Sequence, residues 1–121
     1  MAATLSTDAQ VLLAIGENAS AAQVLSTNTD LWGLMAESDM EKTFGGNVGI
    51  VANYGDITAA NKQWLAMVHS HRTAFYAINH NQNSWGLSTT QSKLNVCDSF
   101  WQGFLSDLKA NKADIISDLG L

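Results

Sequence analysis

The chain reads as all-α, and three observations predict that class. There is no proline in 121 residues. Apolar residues recur at three- and four-residue spacing over two long stretches. Ser or Thr precedes Gln or Glu at capping-box distance in several places. Proline supplies about 5% of an ordinary sequence and is the strongest helix breaker. Its absence favours helices that run uninterrupted. The expectation is one helical domain over 1–121, built of long amphipathic helices. A C-terminal antiparallel helical hairpin is its centre.

The first 44 residues are helical by pattern but irregular. Val11, Leu12 and Ile15 begin an apolar face, and Ala19, Ala22, Leu25, Leu31, Trp32 and Met35 continue it. Thr7/Gln10, Ser20/Gln23 and Ser38/Glu41 have capping-box spacing. Gly16 and Asn28 are candidate breaks. Ala9-Gln10-Val11-Leu12 recurs as Ala22-Gln23-Val24-Leu25, an echo too short to establish a repeat. Gly45-Gly46 is the best internal boundary, with a hinge expected over 45–55. Asn47 to Tyr54 reads as loop in preference to strand or helix.

The clearest helix is predicted from Asp56 to about Asn83. Ile57, Ala60, Trp64, Val68, Phe75 and Ile78 share one face, His71 falls on the same stripe, and Asp56 is the expected cap. A second long helix is expected from about Ser88 to Leu119. Its stripe is Leu94, Cys97, Trp101, Phe104, Leu108, Ile115 and Leu119, with Ser88 and Gln91 at capping-box spacing. The link at Trp85-Gly86-Leu87 is short, and two long helices joined so closely form an antiparallel pair.

Charge narrows the function classes. Charged residues make up 14% and the net charge is −5, against about 25% charged in ordinary soluble domains. Ser, Thr, Asn and Gln replace them, so burying the outer surface against other protein desolvates little charge. Six scattered basic residues argue against nucleic-acid binding and against attraction to anionic lipid. No apolar run reaches transmembrane length, and no basic, apolar leader opens the sequence. The expected compartment is the cytoplasm. Without a leader, the sequon Asn18-Ala19-Ser20 carries no meaning.

Candidate sites are few. His69, His71 and His80 fall within twelve positions. His69 and His71 point in different directions, and His69 and His80 are roughly 16 Å apart along a helix. One subunit therefore offers no expected metal site, and no cofactor or catalytic residue is assigned. Protonating histidines at a packed interface adds desolvated charge, so all three are candidate pH sensors. Cys97, the sole cysteine, reads as a buried structural thiol, with Asp98 expected to raise its pKa. Asp39 with Glu41, and Asp114 with Asp118, lack calcium-loop spacing and read as solvated helix faces. Gly45 to Gly49 lacks the ending of a phosphate loop. Trp64 and Trp101 lie on the core stripes, whereas Trp32 and Trp85 sit beside glycines near expected helix ends. The latter two are candidate interface anchors.

Phe75-Tyr76-Ala77-Ile78-Asn79-His80-Asn81-Gln82-Asn83, followed by Ser88-Thr89-Thr90-Gln91, resembles the Asn/Gln-rich helical stretch of bacterial R-body structural proteins. The resemblance covers about a fifth of the chain. It implies a subunit of a coiled protein ribbon made inside a bacterial cell, with no catalytic residues to carry over.

The sequence reading is a self-assembling structural subunit of a filament, ribbon or shell, partnered by other copies of itself or close paralogues. It has no nucleic acid partner and no membrane span. Its candidate contacts are Trp32, Phe75, Tyr76, Asn79, Asn81, Gln82, Asn83 and Trp85. A small acidic helical binding or inhibitor module, acting as monomer or dimer, is the alternative. A small helical enzyme or ligand carrier centred on His71 and Cys97 is a third class.

Overall fold

Thr7 and Ser20 each open a helix with a reciprocal cap. Each hydroxyl accepts a backbone N–H from the third helical residue, whose glutamine side chain accepts the cap's own N–H. The computed structural model, which describes residues 3–45 and 48–118, runs α1 (Asp8–Ile15), α2 (Ala21–Val24), α3 (Ser26–Phe44), α4 (Ala59–His80) and α5 (Leu87–Asp118). Single 3-10 turns stand at Tyr54–Asp56 and Gln82–Ser84. Among the described residues there is no strand. The all-α expectation holds.

α4 is the centre, with α1, α3 and α5 all packed on it. α4 and α5 form the expected antiparallel pair. At its open end, the Asn61 amide near the start of α4 donates to the Asp118 carbonyl at the end of α5, at 3.1 Å. One core cluster gathers Leu5, Met40, Phe44, Ile50, Ile57, Leu65, Val68, Phe104 and Leu108. The other joins Val11 and Ile15 of α1 to Ala74, Ala77 and Ile78 of α4 and Cys97 of α5. The predicted α5 stripe matches: Cys97, Phe104 and Leu108 are buried, and Leu94, Trp101 and Ile115 are half-buried. Leu119 lies outside the described residues.

Other expectations need correction. α4 begins after Thr58, and Asp56 belongs to the preceding 3-10 turn. Ala60 is exposed, because covering by three helices broadens the buried surface of α4 and shifts it to Leu65, Ala66, Val68, His69, Ser70, Thr73, Ala74, Ala77 and Ile78. In α3 the apolar face is out of register. Leu31 and Met35 are exposed, as is Leu25 at its N-cap, while Thr29, Gly33, Ala36, Glu37, Met40 and Phe44 are buried. Small residues there let α3 approach α4 closely, which no hydrophobic stripe announces. Ser38 and Glu41 lie inside α3, and Ser88 inside the first turn of α5, so neither pair caps a helix. Asn28 does not break the chain. It sits in the first turn of α3, its amide donating to the Ala22 carbonyl at 3.0 Å. Trp32, expected near a helix end, stands within α3.

Gly16 and Gly45 do end helices, at φ of +89° and +90°, where a side chain would be strained. Residues 48–56 form turns rather than a strand. Ile50 is fully buried, and the Val51 N–H donates to the Glu41 carboxylate at 2.8 Å. These contacts anchor the described part of the segment expected to hinge; Gly46 and Asn47 lie outside the described residues.

Gln23 shows how the short α2 is held. Its amide nitrogen donates to the carbonyls of Ala77 and Asn81 at 2.8 and 2.9 Å, and its amide oxygen accepts from Ser84 at 2.6 Å. The side chain is fully buried. Gln23→Ala removes the amide donor to the buried Ala77 carbonyl and should cost about 1–3 kcal/mol, the range for an unsatisfied buried polar group. Urea unfolding of the variant against the parent measures this.

Candidate functional site

Two places concentrate chemistry or exposed apolar surface. The first is a polar centre under the N-terminal segment. The Glu37 carboxylate accepts the backbone N–H groups of Thr4 and Leu5, the latter at 2.8 Å. Leu5 itself is 1% exposed in the core, so residues 4–7 form a strap fixed at both ends: by Leu5, and by the Thr7 cap of α1. Between them the Ser6 hydroxyl lies 2.6 Å from His69 Nδ1. His69 Nε2 lies 2.8 Å from the Gly33 carbonyl. A carbonyl only accepts, so Nε2 carries the proton and Nδ1 accepts from Ser6. Gly33 must lack a side chain here: a Cβ on it would stand 2.8 Å from the Ala3 methyl and 3.6 Å from the His69 ring.

His69 is wholly buried. Burial pushes its pKa below the usual imidazole value, opposed by the Gly33 hydrogen bond and the Glu37 charge. His71 is half-buried, stacked on Phe100 at 3.9 Å, and donates from Nδ1 to the Met67 carbonyl at 2.8 Å. His80 is exposed and tilts against Trp32 at 5.3 Å. The three histidines thus have three separate surroundings. Among the described residues no group of three His, Cys, Asp or Glu side chains could hold a metal ion.

The second place is a groove of mixed lining where α1 meets α4 and α5, with Ser88, Thr89 and Ser92 on its walls beside exposed apolar side chains. Leu13 projects from α1 at 83% exposure. It lines a cavity of about 510 Å³ with His71, Lys93 and Val96, a second of about 200 Å³ with Met67 and His71, and a third of about 610 Å³ with Ala9 and Leu12. Leu12, Met67 and Val96 are also exposed. At one end Lys93 donates to the Ile15 carbonyl at 2.9 Å and lies over the Trp85 ring, and the Trp85 indole donates to the Glu17 carbonyl at 2.6 Å. These two side chains close the C-terminus of α1, where cations and donors are favoured.

The candidate interface residues are dispersed. Trp32, Phe75 and Trp85 are half-buried against the second core cluster. The Tyr76 hydroxyl donates to Asp39, which also pairs with Arg72 at 3.1 Å. The Arg72 guanidinium rests 4.4 Å from the Trp101 ring centre. Asp39 and Glu41 are therefore not solvated faces: Asp39 ties α3 to α4, and Glu41 holds Val51. Asn79 and Gln82 are exposed at the α4–α5 corner, joined at 3.0 Å, and Asn81 is half-buried there. The side chain of Asn83 lies outside the described residues. Cys97 is buried as expected, with its pKa raised to about 11. Burial, rather than Asp98, raises it, while Lys93 opposes.

Sequence reasoning missed Ser6, Gly33 and Glu37. Gly33 and Glu37 stand four apart, one helical turn, and that spacing was the available signal. Among known protein families, curated proteins and solved structures, none matches the chain. No helix among the described residues is long and apolar enough to cross a membrane.

Two outcomes follow from this geometry. The unfolded chain binds a proton at His69 near the usual value of 6.5, whereas the folded chain binds it only at lower pH. Stability is therefore full above about pH 6.5 and is lost as pH falls toward the folded value. Urea midpoints at pH 7, 6 and 5 should drop in the parent. The drop should shrink in His69→Gln, which can keep both hydrogen bonds, and persist in His71→Gln. Gly33→Ala should lower stability by about 1–3 kcal/mol through overpacking between α3, the strap and His69, read as a shift in thermal midpoint.

Proposed function

We propose that this chain is a self-associating helical subunit, a structural building block whose partner is another copy of itself. The observation that carries the reading is the group of exposed apolar side chains around Leu13. Leu12, Leu13, Met67 and Val96 are exposed about adjoining cavities whose other walls are largely polar, and exposed large apolar side chains grouped within a polar rim mark interaction sites. Leu25, Leu31 and Met35 add a second set of exposed apolar side chains at the N-cap and on the outer side of α3. Two different apolar surfaces on one subunit suit head-to-tail contacts, which close into rings or extend into filaments. Sparse charge supports the same reading, since little must be desolvated when copies pack.

The ribbon form suggested by the R-body resemblance is the specific version of this proposal, with the exposed Asn79 and Gln82 offering hydrogen bonds at the corner between α4 and α5. The reading includes a cytoplasmic setting and requires neither cofactor nor nucleic acid. The competing reading is a small acidic binding module acting as monomer or dimer.

Sedimentation velocity with negative-stain microscopy, at neutral and acidic pH, separates the two. The parent should form species much larger than a dimer. Leu13→Asp, at a site too exposed to disturb the fold by more than about 0.5 kcal/mol, should return it to small species. A parent that stays monomeric or dimeric at high concentration at both pH values would overturn the proposal. Assembly of Leu13→Asp indistinguishable from the parent would remove the Leu13 surface from it.

A further inference from the structure

We propose that Ser6 is a nucleophilic serine activated by His69, able to accept an acyl group from a small carboxylic ester. The inference does not rest on assembly, although its cavity borders the Leu13 groove and shares Gln10, Gln63 and Ala66 with it. It begins with the hydrogen bonds already described. Nδ1 of His69 is the unprotonated ring nitrogen, because Nε2 gives its proton to the Gly33 carbonyl at 2.8 Å. The Ser6 hydroxyl stands 2.6 Å from that basic nitrogen, within the reach that a nucleophile and its general base require. The arrangement is a hydroxyl, an imidazole and a third group that fixes the ring, with the two ring nitrogens exchanged and a backbone carbonyl in the orienting position.

Position and surroundings add to this. Leu5 is locked in the core and Thr7 caps α1, so Ser6 is held between two fixed neighbours rather than on a free end. Ser6 is half-buried and lines a cavity of about 240 Å³ together with Leu5, Gln10, Ala59, Lys62 and Gln63. That volume is below the range of drug-sized pockets and suits a short acyl chain. Lys62, whose ammonium rests 4.6 Å from the Tyr54 ring centre, also lines this cavity and makes it electropositive. Glu37 on α3 is the charged group that bears on the His69 ring, and it favours the imidazolium that forms when the ring takes a proton. Burial keeps His69 unprotonated below the usual imidazole range, which is the form a general base needs.

The step balances within these groups. The Ser6 Oγ attacks the ester carbonyl carbon as His69 Nδ1 takes the hydroxyl proton. The tetrahedral adduct collapses, the carbon–alkoxy bond breaks, and the alkoxide leaves as the alcohol with the proton from Nδ1. Acyl-Ser6 remains; hydroxide from solvent adds to its carbonyl carbon from the cavity side, the carbon–Oγ bond breaks, and Ser6 regains its proton from the acid, which leaves as the carboxylate.

The test uses the full chain with two electrophiles, a fluorophosphonate and p-nitrophenyl acetate. Intact mass and peptide mapping should show one phosphonyl adduct, on Ser6. Ser6→Ala should lose the adduct and slow p-nitrophenol release at least tenfold. Because it also leaves buried Nδ1 of His69 without its partner, its urea midpoint should fall by the equivalent of about 1–3 kcal/mol, so both rates are compared under conditions where circular dichroism shows each chain folded. The labelling rate should change far less than tenfold per pH unit between pH 8 and pH 7, because burial lowers the His69 pKa from its usual value. Folded parent protein with no adduct on Ser6, a Ser6→Ala variant that hydrolyses the ester at the parent's rate, or labelling that rises about tenfold per pH unit as for hydroxide-driven attack on an ordinary serine would each overturn the proposal.

Discussion

Three helices cover α4, yet α4 is not apolar all round. His69, Ser70 and Thr73 are buried on it beside Leu65, Val68 and Ile78. Burying polar groups costs free energy unless each finds a hydrogen-bond partner; Ser70 and Thr73 find theirs on the backbone of α4, and His69 finds its partners on surrounding elements. Gly33 and Ser6 satisfy His69, the His69 carbonyl accepts from Thr73 at 2.8 Å, and the Met67 carbonyl accepts from Ser70 at 3.2 Å. Among the described residues no buried side-chain nitrogen or oxygen lacks a partner. This requirement sets the depth of α3, which must bring a glycine against the ring, and holds the strap, which must bring a serine.

The same requirement explains what could be read from the sequence. α5 was legible because its buried side is apolar at helical spacing: Cys97, Phe104 and Leu108 behave as the pattern says. The caps at Thr7 and Ser20 were legible because the motif is local. α3 was not. Its buried side is Thr29, Gly33, Ala36 and Glu37 before it becomes Met40 and Phe44, and its large apolar residues Leu31 and Met35 face outward. Periodicity identifies a buried face only when burial selects for oil, and here close approach and hydrogen bonding select for small and polar side chains. The histidines show the same limit. Their spacing excluded a helix-borne metal pair, but it could not tell the buried His69 from the stacked His71, because the difference is made by residues 36 and 63 positions away.

Charge behaves in a related way. Asp39, Glu37 and Glu41 lie within five residues and look like one acidic surface. In the fold they take three different tasks: an ion pair to Arg72, two strap amides, and one loop amide. A chain with few charges spends several of them on backbone and on neighbouring helices. What stays outside is mostly neutral, and part of it is apolar. The strap face and the Leu13 face are therefore of different character, one ordered by hydrogen bonds and the other open and partly apolar.

The bend in α5 has a consequence in lengths. Thirty-two residues of straight helix measure about 48 Å, against about 33 Å for the twenty-two of α4. A straight α5 would overshoot its partner and leave its last turns in water. Asn111, at φ −138° and ψ 30°, breaks the helical path, and beyond it Ile115 and Ile116 pack against the core. A sequence without proline breaks this helix at an asparagine, whose short amide tolerates non-helical backbone. The excess length is folded into the protein and becomes the closing side of its core.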